Sequence, residues 1–255
     1  MWSGILSGLI VAVVLAIVSV VWRHRGFWGL LRTTIWRFGT VRVSVAALLR
    51  IKDDDCYVLF HSPFRPQTYG PPGGVFKYGS QAQSDLDRLG FLDQRVDGRQ
   101  AEMAHDLRGY LGAGRCLGFM RWFVSGKGRE TAAECLRREL REELAEVGHP
   151  ELIALVDRLN FDLVRSVFER PRPARGEHYK VMRYFEVYEI RKENAEALKL
   201  IDRLLKLGRA KAETQVIAVN AADTRSGRHG HFIVSPQSAF LIGDRRTHDD
   251  QPALR

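Results

Sequence analysis

Residues 128–148, GRETAAECLRRELREELAEVG, concentrate acidic side chains on one predicted helix. Glu139, Glu142, Glu143 and Glu146 fall within eight residues, at spacings of three, four and seven that share one side of a helix. Carboxylates one helical turn apart can converge on Mg²⁺ or Mn²⁺, which in turn holds phosphate oxygens and activates water. The pattern therefore favours metal-assisted chemistry on a phosphorylated compound.

A helical wheel drawn at about 100° per residue distinguishes two interpretations of this acidic helix. Its apolar stripe consists of Ala133, Leu136, Leu140, Leu144 and Val147. Glu143 lies about 60° from the centre of that stripe, where a carboxylate is costly unless a cation neutralises it. A solvent-exposed helix, in which arginines balance the acids, accounts for Glu134 with Arg138 but leaves Glu143 unexplained. A metal site accounts for Glu143, and the spacing alone leaves both interpretations open.

The same helix resembles the second half of the Nudix box, G-x5-E-x7-R-E-U-x-E-E-x-G-U, in which U is a bulky aliphatic residue. Glu130 is followed, after seven residues, by R-E-L-R-E-E at 138–143. In Nudix hydrolases the glutamates at the positions of Glu139, Glu142 and Glu143 bind divalent metal, and one of them serves as or orients a base. The resemblance also implies that Glu130 and Arg138 orient the helix and its ligands. It thus makes these five residues candidate catalytic residues and Mg²⁺ or Mn²⁺ the expected cofactor.

The first half of the box is displaced in this sequence. Val124 occupies the position expected for its glycine, and Ala145 and Glu146 occupy the last two positions. Upstream, PGGVFKYG at 72–79 resembles the usual P-G-G-x-x-x-x-G lead-in, which would make residues 80–128 an insertion inside the box. Alternatively, Gly126 and Gly128 form a shortened loop of their own. Both alternatives retain Glu139, Glu142 and Glu143 as candidate metal ligands. They leave open the geometry of the glycine-rich loop that would bind phosphate.

The first 22 residues, MWSGILSGLIVAVVLAIVSVVW, contain no ionisable side chain. About 20 apolar residues in a helix cross the hydrocarbon layer of a membrane. Trp2 and Trp22 lie at the two ends of this run, and tryptophan is common where a membrane helix meets the lipid headgroups. A cleaved signal peptide usually carries basic residues before its apolar stretch and a small-residue cleavage site, and this segment has neither. We predict a transmembrane helix at 1–23 and a basic juxtamembrane linker or interfacial helix at 24–39.

The residues around this segment predict its orientation and its association. Five arginines follow it between positions 23 and 42 and no basic residue precedes it, so the N-terminus should lie outside and the rest in the cytoplasm, at the inner membrane. Small residues recur at every fourth position, a spacing that lets membrane helices approach and oligomerise. These pairs are Ser3 with Ser7, Gly4 with Gly8, and Ala12 with Ala16.

From residue 40 onwards the pattern predicts a mixed α/β (α+β) domain, a Nudix-like sandwich at 40–243 with a disordered tail at 244–255. Alternation and β-rich runs predict strands at 41–51 and 56–62, a hairpin at 161–169 and 179–190, and short strands at 214–220 and 231–235. Helices are predicted at 128–148, at 193–208 with Gly208 as a stop, and at 235–243. Within the insertion we predict short helices around 83–92 and 101–111 and a strand at 116–124.

Composition limits the class of partner. The formal charge of +9 suits an anionic membrane surface, a nucleotide or a nucleic acid. The sequence shows no helix-turn-helix or RNA-binding motif, so we do not expect a nucleic acid polymer as partner. Three scattered cysteines without a C-x-x-C pair favour a reducing compartment.

Taken over nearly its whole length, the chain resembles the SMODS-associated Nudix family. The apolar N-terminal helix, the basic linker, YGPPGGVFKYG at 69–79 and the split box carry this resemblance. Such proteins accompany cyclic-nucleotide synthases in CBASS antiphage systems. The resemblance implies a cytoplasmic Nudix domain that senses a cyclic (oligo)nucleotide and a membrane helix that oligomerises and disrupts the inner membrane. The alternative is a membrane-tethered, metal-dependent hydrolase of nucleoside diphosphate derivatives or of the messenger.

Candidate nucleotide contacts surround the glycine-rich lead-in, where aromatic rings could stack on bases and cations could meet phosphates. They are Gly73, Gly74, Phe76, Lys77, Tyr78, Arg65 and Tyr69. The alternative role for these side chains is to pack the insertion. In Nudix hydrolases a further acid often comes from a later loop, and Glu177 or Glu213 could supply it.

Overall fold

A computed structural model of the chain describes residues 39–94, 103–174 and 176–249. Its strands are β1 (Thr40–Arg50), β2 (Lys52–Asp53), β3 (Cys56–His61), β4 (Thr68–Gly70), β5 (Gly73–Val75), β6 (Leu92–Asp93), β7 (Arg108–Gly112), β8 (Phe161–Pro173), β9 (Lys180–Ile190), β10 (Val216–Asn220), β11 (Arg228–His229) and β12 (Phe232–Val234). Its α-helices are α1 (Gln83–Leu89), α2 (Cys116–Ser125), α3 (Ala132–Glu146), α4 (Ala195–Arg209), α5 (Ala221–Ser226) and α6 (Ala239–Ile242). The mixed α/β class expected from the sequence is confirmed.

Strand β1 is the centre of the first sheet, whose order is β6-β7-β1-β9-β8 with β5 also paired to β1. It runs parallel to β9 and antiparallel to β7 and β5. The second half of β1 is buried because layers cover both of its faces, which explains why its sequence changes from alternating to continuously apolar. The predicted hairpin is confirmed, since β8 and β9 are paired antiparallel.

The second sheet has the order β10-β3-β4-β12-β11, with β2 paired to β3. Helix α4 packs on β10 and β3, and it also contacts a 3₁₀ segment at Pro150–Arg158. Helix α3 contacts the same segment on one side and β5 and β1 on the other. The acidic helix is therefore held between the glycine-rich strand β5 and the rest of the core.

Helix α3 begins as the sequence predicts. Thr131 caps it: its hydroxyl accepts from the backbone N–H of Glu134, and the Glu134 carboxylate accepts from the backbone N–H of Thr131. Leu136, Leu140 and Leu144 of the predicted stripe are buried. A solvent-exposed helix was expected to pair Glu134 with Arg138. That pairing is wrong, because the Glu134 carboxylate caps the N-terminus of α3 instead.

The strand predicted at 116–124 is wrong, because this segment forms helix α2. Its buried residues Cys116, Phe119, Met120 and Phe123 recur at spacings of three, four and seven, which is the helical period. The run of aromatic residues favoured a strand, but the chain buries these rings on one side of a helix.

The short helix predicted around 101–111 is also wrong where the structure describes it, because Arg108–Gly112 forms strand β7. This strand completes the first sheet beside β1, with Val43 opposite Gly109. Pairing with a strand more than sixty residues earlier outweighs the local helical pattern. The helix predicted around 83–92 is confirmed as α1.

The two C-terminal helix predictions need smaller changes. Helix α4 continues through Gly208 to Arg209, so this glycine is not a stop. A Cβ at Gly208 would lie 2.9 Å from the backbone nitrogen of Ala218, which shows that the glycine permits close packing of α4 on β10. The last predicted helix is a 3₁₀ turn at Pro236–Ser238 followed by α6. In the predicted tail, Arg246 forms an ion pair with Glu169 at 2.9 Å.

Among the described residues, no helix is both long and apolar enough to cross a membrane. The predicted transmembrane helix at 1–23, and the juxtamembrane linker as far as residue 38, lie outside the described residues.

Candidate functional site

Arg138 on α3 joins the two halves of the site. Its guanidinium donates to Glu130 at 2.6 and 3.2 Å and to Glu139 at 2.6 Å. It also donates to the backbone oxygen of Val75 at 3.0 Å. Burial lowers the pKa of Arg138, but the hydrogen bonds and charges of Glu130 and Glu139 outweigh it and raise this pKa overall. The arginine is therefore a permanent cation that fixes α3 against strand β5.

The two glycines of the lead-in lie directly on the acidic helix. The backbone N–H of Gly73 donates to Glu143 at 2.9 Å. A Cβ at Gly74 would overlap the carboxylate of Glu139, so a larger residue there would displace this carboxylate from its position. Gly73 has φ of +120°, a backbone conformation that favours glycine. The lead-in thus brings backbone N–H groups and carboxylates to within hydrogen-bonding distance.

The polypeptide enters and leaves the predicted insertion at adjacent points. The backbone N–H of Gly79 donates to the carbonyl oxygen of Gly128 at 2.8 Å, and that of Glu130 donates to Lys77 at 3.0 Å. Lys77 in turn donates its backbone N–H to the Glu130 carboxylate at 2.6 Å. With residues 80–129 set aside, Gly74, five residues and then Glu130 reproduce the G-x5-E spacing.

The structure therefore places the upstream lead-in next to the glutamates. The two glycines of the alternative loop have other positions: Gly126 caps the C-terminus of α2, and Gly128 lies against Ala82.

The carboxylates of α3 are close together and partly buried from solvent, so they repel one another. Burial is the largest cause that raises the pKa of Glu143 well above its usual range, followed by the charge of Glu139, and the Gly73 N–H opposes the shift. Burial also raises the pKa of Glu139, although Arg138 opposes it. Glu142 is more exposed, with 56% of its side chain accessible, and lies 3.7 Å from Arg138. A group of acids held together in this way is suited to a cation.

The donor set fits a hard divalent cation, because oxygen ligands from several carboxylates are what Mg²⁺ and Mn²⁺ prefer. In the described part of the chain, no three acidic, histidine or cysteine side chains are arranged to enclose a metal ion. Glu139, one of the candidate ligands, accepts a hydrogen bond from Arg138 at 2.6 Å and is therefore bound to an internal cation.

Asp106 is a further acid of this site that the sequence did not indicate. The segment around it pairs with the lead-in through the backbone. Lys77 and Asp106 are antiparallel partners, and the N–H of Leu107 donates to the carbonyl oxygen of Phe76 at 2.7 Å. Burial raises the pKa of Asp106 to about 6, while the nearby cations, among them Lys77 at 3.8 Å, oppose the shift. Its charge in turn helps to raise the pKa of Glu139. No motif spacing contains Asp106, because it arrives through the fold of the insertion.

The candidate aromatic contacts are not available to stack on a base. Phe76, Tyr69 and Tyr78 are 0%, 2% and 5% exposed, and all three belong to the hydrophobic core. Phe76 packs on the Phe123 ring at 5.1 Å, which places it in the contact between the lead-in and helix α2. The alternative that these rings pack the insertion is supported for Phe76 and for Tyr78, whose ring meets Phe91 at 6.3 Å. Tyr69 packs against Phe232 of β12 at 4.8 Å.

The remaining candidates lie at separate places. Lys77 is half-buried and points to Asp106, and Arg65 lies exposed in the loop before β4. Glu213 lies 3.1 Å from His149, beyond the C-terminus of α3. Glu177 is exposed in the turn between β8 and β9.

Replacing Arg138 by lysine should destabilise the domain. A lysine has one ammonium group and cannot donate in parallel to Glu130, Glu139 and Val75, so buried acceptors lose their partners. We expect Arg138→Lys to lower the free energy of unfolding by about 2–4 kcal/mol, as measured by urea denaturation. Arg141→Lys is the matched control, since Arg141 lies on the same helix and pairs with exposed Asp157. Equal losses in both variants would contradict the role of Arg138.

The raised pKa of Asp106 predicts a specific pH dependence of stability. Because its folded-state pKa is about 6 and the usual value is 3.8, Asp106 favours the folded state below about pH 4 and loses that contribution as the pH rises through 6. The unfolding free energy of Asp106→Asn, minus that of the unchanged protein, should therefore rise by about 1–3 kcal/mol between pH 4 and 7. Urea denaturation at several pH values measures this difference.

Asp162→Asn is the control for that measurement. The hydrogen bond from Arg191 lowers the pKa of Asp162, so the corresponding difference should fall with rising pH only below about pH 4 and stay nearly constant between pH 4 and 7. If the Asp106→Asn difference stayed constant with pH, Asp106 would not be a buried carboxylate.

Comparison with known proteins agrees with this geometry. The profile of the family described as the SMODS-associated NUDIX domain matches residues 40–242. No curated protein matches the chain. The matched range begins with β1, ends with α6 and includes both the lead-in and helix α3. The chain therefore belongs to the SMODS-associated NUDIX domain family.

Proposed function

We propose that this protein is a membrane-anchored effector of a CBASS antiphage system, whose cytoplasmic Nudix domain binds a cyclic (oligo)nucleotide. The observation that carries the proposal is the combination of a SMODS-associated Nudix domain at 40–242 with an uncharged run of 22 residues ahead of it. The family links the domain to nucleotide-synthesising systems, and the apolar run supplies a means to act on a membrane. Ligand-driven assembly would raise the local concentration of these anchors and cluster them until the inner membrane leaks.

Nudix domains typically use divalent metal ions such as Mg²⁺ or Mn²⁺, and Glu139, Glu142 and Glu143 would hold one here. Such an ion neutralises the charge of bound phosphates. The chain contributes the rest: Arg138 and Glu130 orient Glu139. Gly74 leaves space for the Glu139 carboxylate, and Gly73 donates its backbone N–H to Glu143.

A second function, hydrolysis of a nucleoside diphosphate derivative or of the messenger, is favoured by a different observation. The interrupted box is rejoined, because Gly79 contacts Gly128 and Arg138 contacts Glu130. Hydrolysis would use this rejoined box, because the motif carries the candidate metal ligands. Product analysis separates the two functions, since a receptor returns its ligand intact.

Loss of one carboxylate should weaken nucleotide binding in the presence of Mg²⁺. We expect Glu143→Gln to reduce the affinity for the cyclic nucleotide by about tenfold or more, because a metal ligand is lost. The measurement is calorimetric titration of the full chain, in lipid nanodiscs, with a panel of cyclic di- and trinucleotides, followed by chromatography of the mixture. Glu146→Gln, an exposed acid on the same helix, is the control and should bind normally.

The outcome of that titration distinguishes the two functions. A ligand recovered unchanged supports a receptor, and metal-dependent conversion supports the hydrolase. If no nucleotide in the panel bound to the unchanged protein, nucleotide sensing would be wrong.

Association of the anchors is tested by replacing the small residues of the apolar run. Leucines at Gly4, Ser7 and Gly8 remove the surface on which two helices could approach closely. We expect this triple variant to lose its toxicity in cells that produce the signal, measured as membrane permeability to a dye. A second triple variant with leucines at Ile10, Val13 and Val14 keeps the small residues and should stay toxic. Toxicity that survived the first set of changes would exclude association through this surface.

A further inference from the structure

Asp106 is held beside the acidic helix by the pairing of the insertion with the lead-in. Lys77 and Asp106 are antiparallel partners. Two backbone hydrogen bonds flank this pair: Tyr78 N–H to the oxygen of His105 at 2.9 Å, and Leu107 N–H to the oxygen of Phe76 at 2.7 Å. The pair itself is therefore of the non-hydrogen-bonded type, in which the side chains of two neighbouring strands come closest. The pairing uses backbone atoms, so it leaves the carboxylate of Asp106 unused.

The charges that act on Asp106 place it next to the candidate metal ligands. Burial is the main cause of its raised pKa, while Arg138 opposes the shift and Glu130 adds to it. Burial is also the main cause of the raised pKa of Glu139, to which the charge of Asp106 contributes. Asp106 thus interacts with the same ion-pair network that joins α3 to the lead-in.

The carboxylate of Asp106 lacks the hydrogen bonds that a buried acid normally accepts. Asp106 is 8% exposed, and within the described residues its side-chain oxygens accept no hydrogen bond. The ammonium group of Lys77 lies 3.8 Å away, which is an ion pair but is too long for a hydrogen bond. A carboxylate has room for about four hydrogen bonds, and burying it without them is costly.

The neighbouring glutamates differ from Asp106 in this respect. Glu139 accepts a hydrogen bond from Arg138 at 2.6 Å, and Glu143 accepts one from the backbone N–H of Gly73 at 2.9 Å. These contacts fix the two glutamates in place. Asp106 is fixed only through its backbone, so its carboxylate has its full capacity to accept hydrogen bonds from a ligand.

A hydrated divalent cation has the donors that Asp106 lacks. Mg²⁺ keeps several water molecules when it binds to a protein, and acids around the direct ligands orient a metal site through hydrogen bonds. We propose that Asp106 is a positioning residue of the cation site, and that its carboxylate accepts hydrogen bonds from the water around an ion held by Glu139, Glu142 and Glu143. The insertion thereby takes part in binding the ion. This inference rests on the cation site of the proposed function.

The first test measures Mn²⁺ binding by calorimetry, on the full chain purified in detergent. Asp106→Asn keeps the size of the side chain and removes its charge, and should raise the Kd for Mn²⁺ about tenfold. Asp87→Asn is the matched control, because Asp87 is an exposed acid of the same insertion that accepts a hydrogen bond from Gln83 at 2.8 Å. It should bind Mn²⁺ normally. Unchanged affinity in Asp106→Asn, or an equal loss in both variants, would overturn the proposal.

The second readout separates ion binding from stability. In EDTA at pH 7, Asp106→Asn should melt no lower than the unchanged protein, because it removes a buried charge that has no hydrogen bond. The rise in melting temperature on adding Mn²⁺ should be smaller in this variant. A variant that melts lower in EDTA and keeps the full rise with Mn²⁺ would have lost only a structural contact, and Asp106 would not belong to the cation site.

The third measurement needs no variant. Fe²⁺ replaces the ion in the unchanged chain, and with ascorbate and hydrogen peroxide it forms hydroxyl radicals that cut the backbone close to the metal. Mass spectrometry should find cuts at 73–74, at 139–143 and at 105–107. Cuts at the first two places without cuts at 105–107 would show that Asp106 lies away from the ion.

Failure of the proposed function gives different results. No cuts at 139–143, together with no binding of Mn²⁺ by the unchanged protein, would reject the cation site and this inference with it. Normal binding of Mn²⁺ by a protein that binds no cyclic nucleotide would reject the receptor function and leave the role of Asp106 intact.

Discussion

The ion-pair network of Arg138 is the interaction on which the rest of the site depends. One guanidinium binds Glu130 before helix α3, Glu139 within it and the backbone of Val75 on β5. Because these groups come from separate parts of the chain, this one side chain fixes all three relative to one another, and the hydrogen bonds of Lys77 to Glu130 and of Gly73 to Glu143 support it. The network also neutralises part of an acidic cluster that would otherwise repel itself in a poorly solvated place. In this respect Arg138 does internally what a metal ion would do from outside.

The sequence alone was sufficient to predict helix α3 and the acids that it carries, but not the residues that surround them. Glu130 and the acids at 139–143 have a fixed spacing within a few turns of chain, so local pattern identifies them. The long strand β1, the hairpin of β8 and β9 and the capped start of α3 likewise follow from alternation and from short-range capping. These are features in which each residue's partner lies nearby in sequence or in which burial repeats with a regular period.

The errors have the opposite origin. Helix α2 was mistaken for a strand because aromatic residues suit both structures, and its tertiary packing decides between them. Strand β7 looked helical in isolation, but it pairs with β1, which a local pattern cannot show. Asp106 escaped notice for the same reason. For Phe76 and Tyr78 the sequence left ligand contact and packing both open, because the contacts with the insertion that bury them have no local signal. Each of these depends on contacts made by residues 80–128, whose fold has no short motif.

The contact between Gly79 and Gly128 has a consequence for how such a protein can change. When both ends of a long segment meet at one hydrogen bond, the segment's length is not constrained by the motif that it interrupts, and loop-closure entropy grows only slowly with added residues. Insertions and deletions inside it can therefore accumulate while the glutamates keep their places. Because Asp106 is supplied by that segment, the charge beside the carboxylates can be altered without touching the helix that carries them. The acidic cluster and the charge beside it are in this way encoded in separately variable stretches of one chain.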